Sequence, residues 1–251
     1  MTHLIDRMQA VQILGEAARG EKRPSELPAS CRPSCVSEAL AIQEMLVEHL
    51  AENVAGWKVA TDSSNAALWG AILAPDCLVS PGKITGNRCE PLGIEGEIAF
   101  RFERDLPTRS DPYTRSEIEE VLVAFPAIEI VSSRFADYRQ APFLDRLADR
   151  MSNGGMVMGA PYTNWRTFDL AHLHVTQSID ETETLNQVGG HPKGDPLLPA
   201  LDFIHARQTE KAFHKGQFIT TGTFTGLLFA KSGQHITIDF QGFGAVSLVI
   251  G

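Results

Sequence analysis

Apolar residues recur every three or four positions through most of the first fifty residues, which indicates amphipathic helices. The first such stripe covers residues 4–19. The second follows a proline-rich loop, with Ser34 or Ser37 as its predicted N-cap and Gly56 as its predicted end. The pattern therefore predicts a helical N-terminal segment over residues 1–56, in which no residue suggests chemistry.

From Trp57 onward the pattern changes to short apolar runs bounded by glycine, proline and aspartate, which is typical of strands. Two helical windows interrupt these runs, at residues 114–124 and 199–210. Ser116 and Glu119 have the spacing of a capping box for the first window. The chain is therefore predicted to be α+β, with one β-rich domain over residues 57–251 behind the helical segment.

Composition narrows the function classes. Of the 251 residues, 43% are hydrophobic and 21% are charged, which is typical of a folded globular chain. The net charge of −9 argues against nucleic acid as a partner, because such binders need a basic face. No run approaches the ~18 apolar residues of a membrane span. Charged residues interrupt the N-terminal apolar run, so no signal peptide is expected, and four scattered cysteines suggest reduced thiols in a cytoplasmic protein.

The segment around Glu95 and Glu97 is the first candidate for chemistry. Residues two apart in a strand point the same way, so these two carboxylates share a face. Two anions so close repel each other unless a cation or a shared proton lies between them. Taken alone, the segment favours the simpler interpretation of a strand with one wet face, since apolar residues alternate with charged ones.

Glu129 changes this interpretation, because it interrupts a run that is otherwise wholly apolar. An ionised glutamate buried without a partner is costly. It could form an ion pair with Arg134, or it could join Glu95 and Glu97 in a hard-oxygen site suited to Mg²⁺ or Mn²⁺. The residues by themselves leave both possibilities open.

Lys58 follows a glycine and lies among apolar residues. Partial desolvation would lower its pKa toward a proton-transfer role. The simpler alternative is that the side chain snorkels from a strand edge into water.

In their order and spacing these segments resemble the 2-keto-4-pentenoate hydratase / 4-oxalocrotonate decarboxylase family, a branch of the fumarylacetoacetate hydrolase superfamily. The resemblance runs from about residue 35 to the C-terminus. It rests on the motifs Ala-Ile-Gln, Gly-Trp-Lys, Ile-Glu-Gly-Glu, Ala-Ile-Glu-Ile with Ser-Arg, Ala-Asp and the closing Ile-Thr-Thr-Gly-Thr, which stand at residues 41–43, 56–58, 94–97, 127–130 with 133–134, 148–149 and 219–223.

The resemblance implies a mixed β-roll core of the fumarylacetoacetate hydrolase C-terminal type and a divalent cation, Mg²⁺ or Mn²⁺, held by Glu95, Glu97 and Glu129. It places Lys58 on the family's active-site lysine and Asp149 on an acidic position, both as catalytic residues. Lys58 and Thr223 would also contact the substrate. It further implies a homo-oligomer that acts on a small 2-oxo or 2-hydroxy-dienoic acid in the breakdown of aromatic compounds.

Several positions depart from the family's pattern. Ala60 stands where the family usually has glycine, Ser132 where it has aspartate, and Arg150 and Met151 where it has Asn-Ala. Phe224 stands where hydrolase relatives often have proline. The implied metal ligands are intact, so the departures predict a changed substrate pocket or a weakened activity.

Four functions remain open, led by a metal-dependent hydratase that adds water to a 2-hydroxy-2,4-dienoate or its 2-oxo tautomer to give a 4-hydroxy-2-oxo acid. A decarboxylase of a 2-oxo-3-enedioate needs the same dienolate stabilisation, with an arginine for the second carboxylate. An acylpyruvate-type C–C hydrolase ranks lower, because residues 59–94 contain no histidine to activate water. A drifted, non-enzymatic paralogue would have no use for buried carboxylates.

Overall fold

A computed structural model describes residues 2–62, 66–85 and 91–251 of the chain. Two helices come first and strands dominate the remainder. The helices are α1 (Thr2–Ala18), α2 (Val36–Leu50), α3 (Arg115–Val121), α4 (Phe143–Ala148) and α5 (Leu197–Arg207). The strands are β1 (Val54–Thr61), β2 (Ala67–Leu73), β3 (Cys77–Val79), β4 (Gly82–Ile84), β5 (Gly93–Phe102), β6 (Leu122–Val131), β7 (Asn153–Met158), β8 (His174–Ile179), β9 (Thr182–Val188), β10 (Phe218–Thr223), β11 (Leu228–Phe229), β12 (His235–Phe240) and β13 (Gly244–Ile250).

Within the described ranges these strands form two sheets of mixed direction. The larger has the order β2-β1-β10-β5-β6-β7-β3, with β11 beside β5, and the smaller has the order β4-β13-β12-β8-β9. Three neighbouring pairs are parallel, namely β1 with β10, β3 with β7 and β4 with β13. The larger sheet curls until β2 contacts β7, which makes it a roll. The predicted α+β class and mixed β-roll core are confirmed.

Strand β6 lies inside the larger sheet, between β5 and β7, and is buried on both faces. Ile128 and Ile130 point into the main core, which they share with the smaller sheet. Ala127 points the opposite way, into a separate cluster with Met156. Since residues two apart share a face, Glu129 lies on the same face as Ala127. This second face of the sheet carries the candidate site.

The N-terminal helices share an apolar cluster with α4, which includes Leu14, Ile42 and Leu147. Gln43 is buried in α2 and fixes this helix to the roll. Its amide nitrogen donates to the Leu147 carbonyl oxygen at 2.9 Å, and its amide oxygen accepts from the Ala71 N–H of β2 at 2.8 Å. No helix within the described residues is long and apolar enough to cross a membrane. The division at residue 56 stays a prediction.

Several predicted helix boundaries are wrong. Helix α2 begins after Cys35, whose side chain makes no cap bond, and it ends at Leu50, where Ala51 has a φ of 55°. Gly56 instead lies within β1, where a Cβ atom would come 2.4 Å from the Phe218 carbonyl oxygen.

The first helical window and its cap are shifted for a physical reason. The capping box of α3 is formed by Thr114 and Glu117, two residues before the predicted pair. The helix ends at Val121, because the residues that follow belong to the buried strand β6. An apolar run shared by a helix and a strand has no periodicity that marks the boundary.

Candidate active site

Three carboxylates meet on the second face of the larger sheet. Strands β5 and β6 are antiparallel, and their register places Glu95 directly opposite Glu129, with Glu97 two residues further along β5. One oxygen from each of the three carboxylates lies within 4.8 Å of the other two. Glu97 and Glu129 are each 1% exposed, so the wet-face interpretation of this segment is wrong.

The crowding of these carboxylates changes their protonation. Burial, then the charge of Glu129, raise the pKa of Glu95 from 4.5 to about 7, against the lowering effect of Lys58. Burial and the two neighbouring carboxylates hold the pKa of Glu97 well above its ordinary value. The cluster therefore carries more negative charge than its surroundings stabilise.

Lys58 in β1 supplies one positive charge to the cluster. Its Nζ lies 2.6 Å from Oε1 of Glu129, and its side chain is only 14% exposed, so it does not snorkel into water. Burial lowers the pKa of Lys58, but the three carboxylates outweigh burial and the pKa lies above its ordinary value. The predicted lowering is therefore wrong for the metal-free protein.

Glu97 is held by the end of β10. Its Oε2 accepts hydrogen bonds from Thr220 Oγ1, from the Thr221 N–H at 3.1 Å and from the Gly222 N–H at 3.0 Å. The pairing of β10 with β5 shifts register between Thr220 and Thr223, and such a bulge lets successive N–H groups converge on one acceptor. Oε1 of Glu97 accepts none of these bonds.

Thr223 lies opposite Glu97 at the end of β10 and is partly buried. Its hydroxyl oxygen accepts a hydrogen bond from the Thr225 N–H at 3.1 Å. The residue thus lies beside the carboxylates, and its role in substrate binding stays a prediction.

Asp149 is not part of the carboxylate cluster but is fully buried against Arg134. It accepts hydrogen bonds from Ser133 Oγ at 3.2 Å, from the Arg134 N–H at 3.0 Å and from Arg134 Nε. Arg134 therefore pairs with Asp149, and Glu129 pairs with Lys58 instead of with Arg134. Proton transfer by Asp149 stays a prediction, and these contacts favour a positioning role.

Asn153 is a site residue that the sequence analysis missed. Its Nδ2 donates to Oε1 of Glu129 at 3.1 Å, and its backbone carbonyl accepts from Arg134 Nη1 at 2.8 Å. An ionised carboxylate only accepts, so this bond fixes which end of the amide faces Glu129. The other end, Oδ1, is buried and accepts no hydrogen bond from any described residue. Its capacity to accept a hydrogen bond is therefore not used by any described residue.

The backbone before Asn153 adopts an uncommon conformation. Arg150, Met151 and Ser152 have φ angles of 51°, 50° and 57°, in the left-handed region that residues other than glycine rarely visit. This turn lies against Gly70 of β2, where a Cβ atom would come 2.3 Å from the Arg150 carbonyl oxygen. Gly70 pairs with Lys58, so the turn packs beside the carboxylate cluster.

The three carboxylates suit a divalent cation. Three glutamates and one ammonium leave a surplus of two negative charges, which a divalent cation would balance. Carboxylate oxygens are the ligands preferred by Mg²⁺, Ca²⁺ and Mn²⁺. The raised pKa values of Glu95 and Glu97 are the expected behaviour of such a site in its metal-free form. The residues present therefore fit a metal site.

Comparison with solved structures defines the class of fold. 4-Oxalocrotonate decarboxylase from Pseudomonas putida G7, complexed with calcium and acetate, superposes with a TM-score of 0.82 at 18% identity, covering 100% of this chain and 99% of that one. 2-Hydroxyhepta-2,4-diene-1,7-dioate isomerase from Mycobacterium marinum superposes with a TM-score of 0.56 at 14% identity, covering 80% and 79%. The chain therefore shares its fold with these solved structures.

Curated proteins of similar sequence narrow the class further. 2-Keto-4-pentenoate hydratase of Paraburkholderia xenovorans (strain LB400) is 27% identical over 96% of this chain and 93% of its own length. 2-Hydroxyhexa-2,4-dienoate hydratase of Comamonas testosteroni is 30% identical over 61% and 58%, and 4-oxalocrotonate decarboxylase of Pseudomonas putida is 26% identical over the same shares. No protein-family model matches the chain. The resemblance to the hydratase / decarboxylase family is confirmed.

Proposed function

We propose that this chain is a metal-dependent hydratase, a lyase that adds water to a 2-hydroxy-2,4-dienoate or its 2-oxo-4-enoate tautomer and gives a 4-hydroxy-2-oxo acid. The observation that carries the proposal is the buried cluster of three carboxylates around Lys58. The near full-length similarity to proteins named as hydratases supports the choice of reaction.

The metal ligands in this proposal are Glu95, Glu97 and Glu129, and the cation is Mg²⁺ or Mn²⁺. When bound, the cation supplies a Lewis acid for the carboxylate and 2-oxygen of the substrate. A related solved structure is described as complexed with magnesium and adipate, which supports magnesium here. Thr220 and the N–H groups of Thr221 and Gly222 keep Glu97 in place for this task.

Lys58 is assigned the proton transfer. Its raised pKa keeps Nζ protonated at neutral pH in the metal-free protein, so Lys58 starts as a proton donor toward the carbon chain. Protonation of the dienol carbon chain, with loss of the 2-hydroxyl proton, gives the conjugated ketone, to which water adds at C4. Asp149 is assigned to the same proton transfer, either directly or by holding Arg134 and Asn153.

The remaining assignments complete the proposal. Thr223 would lie at the carboxylate end of the substrate, and Oδ1 of Asn153 would accept a hydrogen bond from a buried water. The protein would act in the cytoplasm on a small dienoic acid from the breakdown of aromatic compounds. It would assemble as a homo-oligomer.

A second candidate is decarboxylation of a 2-oxo-3-enedioate. The similarity to the 4-oxalocrotonate decarboxylase structure over the full chain favours it, and the same three carboxylates would serve it. The two reactions differ in product. Release of CO₂ from 4-oxalocrotonate, without hydration of the dienoate, would replace the first proposal with this one.

The decisive experiment follows the ultraviolet absorbance of 2-hydroxypenta-2,4-dienoate with and without Mg²⁺, for the natural protein and for Glu129→Gln. We expect turnover that requires the metal and is lost in the variant. The matched control is Glu103→Gln, because Glu103 immediately follows β5 and forms an exposed ion pair with Arg101. Turnover that persists without divalent cations, or that survives in Glu129→Gln, would contradict the proposal.

A further inference from the structure

A cavity of about 530 Å³ lies where the C-terminal end of α1 meets the ends of β2 and β6. We call it the arginine cleft, because four of its lining residues are arginines. These are Arg19, Arg23, Arg134 and Arg150. Among the described residues that line it, none is Lys58 or a glutamate of the carboxylate cluster. The cleft is therefore distinct from the candidate metal site.

Arg150 is the residue that makes the cleft unusual. Its side chain is only 5% exposed, and its contact with a carboxylate is long, at 3.4 Å from Nη1 to Oδ2 of Asp76. Nε of Arg150 is buried and donates to no described residue. Burial, then the neighbouring Arg134, lower the pKa of Arg150 to about 10. Asp76 supplies a counter-charge at Nη1, but at this long distance it satisfies the guanidinium only in part, and a second anion in the cleft would add acceptors.

The surroundings hold Arg150 at this wall of the cleft. The three left-handed residues 150–152 fix its backbone, and the absence of a side chain at Gly70 allows the turn to pack there. Strained backbone that persists in a folded protein is over-determined by its surroundings and often serves function.

The other arginines differ in what they offer the cleft. Arg134 uses its donors on Asp149 and Asn153, and the charge of Asp149 offsets its own, so Arg134 offers the cleft no free donor. Arg19 lies at the exposed end of α1 and contacts His49.

We propose that the arginine cleft is a binding site for a small oxyanion, a carboxylate or a phosphate, with Arg150 as its principal donor and Arg19 at its mouth. A guanidinium suits both ligands, because its planar donors match two oxygens of either group. Ser132 and Arg150 both line the cleft, and both are positions where this sequence departs from the family's pattern. The proposal stands independently of the reaction assigned to the carboxylate cluster.

The site is connected to the carboxylate cluster by two hydrogen bonds. Arg134 borders the cleft and donates to the Asn153 carbonyl, and Asn153 donates to Glu129. A bound anion would therefore change the field at a residue that contacts a metal ligand. Effects on turnover would follow from binding.

The test is isothermal titration of protein stripped of metal on a chelating resin, with inorganic phosphate and with succinate as separate probes. In this form the carboxylate cluster repels anions, so saturable binding reports on the cleft. We expect at least one probe to bind, and Arg150→Gln and Arg19→Gln to weaken it by about tenfold or more, as loss of a charge-assisted bond does. Arg101→Gln, outside the cleft, should bind as the natural protein does. The probe that binds identifies the class of oxyanion.

Two results would overturn the proposal. One is no saturable binding of either probe up to roughly 10 mM, the range of very weak complexes. The other is binding that Arg150→Gln leaves unchanged, with its fold confirmed by circular dichroism. Where Arg150→Gln does not fold, Arg19→Glu at the exposed end of α1 replaces it, and unchanged binding in that variant also overturns the proposal.

Discussion

The protonation of Glu95 makes the stability of the metal-free protein depend on pH in a predictable direction. Its pKa is raised from 4.5 to about 7 by burial and by Glu129, so the folded state favours the neutral carboxyl. A raised folded-state pKa gives a stability contribution that is present below the unfolded pKa and is lost as pH rises through the folded one. Metal-free protein should therefore become less stable between pH 5 and pH 8.

The size of the effect follows from the shift. A change of roughly 2.5 pKa units corresponds to about 3 kcal/mol of unfolding free energy at ~1.36 kcal/mol per unit. For a chain of this length that is roughly 6 to 12 °C in melting temperature. Saturating Mg²⁺ should reverse the trend, because the ionised carboxylates are then ligands and protons compete with the metal.

The assay is urea unfolding at pH 5, 6, 7 and 8, with resin-stripped protein and with added Mg²⁺. Other groups also titrate in this range, so the informative quantity is the difference between the natural protein and Glu95→Gln. This difference should fall with rising pH in the metal-free protein, whereas the difference between the natural protein and the exposed control Glu103→Gln should stay flat. A Glu95 difference that is flat or rises with pH would refute the assignment of Glu95 to a crowded carboxylate cluster.

Three further predictions concern individual side chains. Lys58→Met should lower kcat by about 10²- to 10⁴-fold, the usual contribution of general acid–base catalysis. Mg²⁺ binding measured by calorimetry should persist or tighten, because the Lys58 ammonium no longer competes for Glu129. Asn153→Ala should weaken Mg²⁺ affinity or activity by about 10- to 100-fold, because Asn153 orients the metal ligand Glu129. If neither value changes, Asn153 has no role in the site. Phe203→Ala should lower the free energy of unfolding in urea by about 3–5 kcal/mol, because the buried Phe203 ring fixes α5 on β1, with its centroid 5.6 Å from that of Trp57. A loss below ~1 kcal/mol would contradict this packing.

The larger features of the fold could be predicted because each has a local signal. Helical periodicity located α1 and α2, and short apolar runs located the strands. Boundaries failed where tertiary contacts decide them. Gly56 does not end a helix but pairs with Phe218 of β10, whose carbonyl oxygen lies too close for a side chain at position 56. That contact joins residues 162 positions apart. No local pattern encodes such a neighbour.

Part of the candidate site could be predicted for a similar reason. Glu129 is visible because a carboxylate in a buried apolar run needs a partner, and alternation along β5 places Glu95 and Glu97 on one face. The partner of Glu129 was not visible. Lys58 lies 71 positions away, on a strand that β10 and β5 separate from β6. It reaches Glu129 because the sheet is curled.

The segment between α4 and β7 shows most clearly what a sequence pattern leaves out. Within five residues it supplies Asp149 to Arg134, Arg150 to the arginine cleft and Asn153 to Glu129. This division of tasks depends on three consecutive left-handed residues, none of which is glycine, so no propensity predicts it. Arg150 and Met151 were recognisable only as departures from a family pattern. The backbone turn explains where Arg150 lies, since it places the buried guanidinium in the wall of the arginine cleft instead of beside Glu95, Glu97 and Glu129.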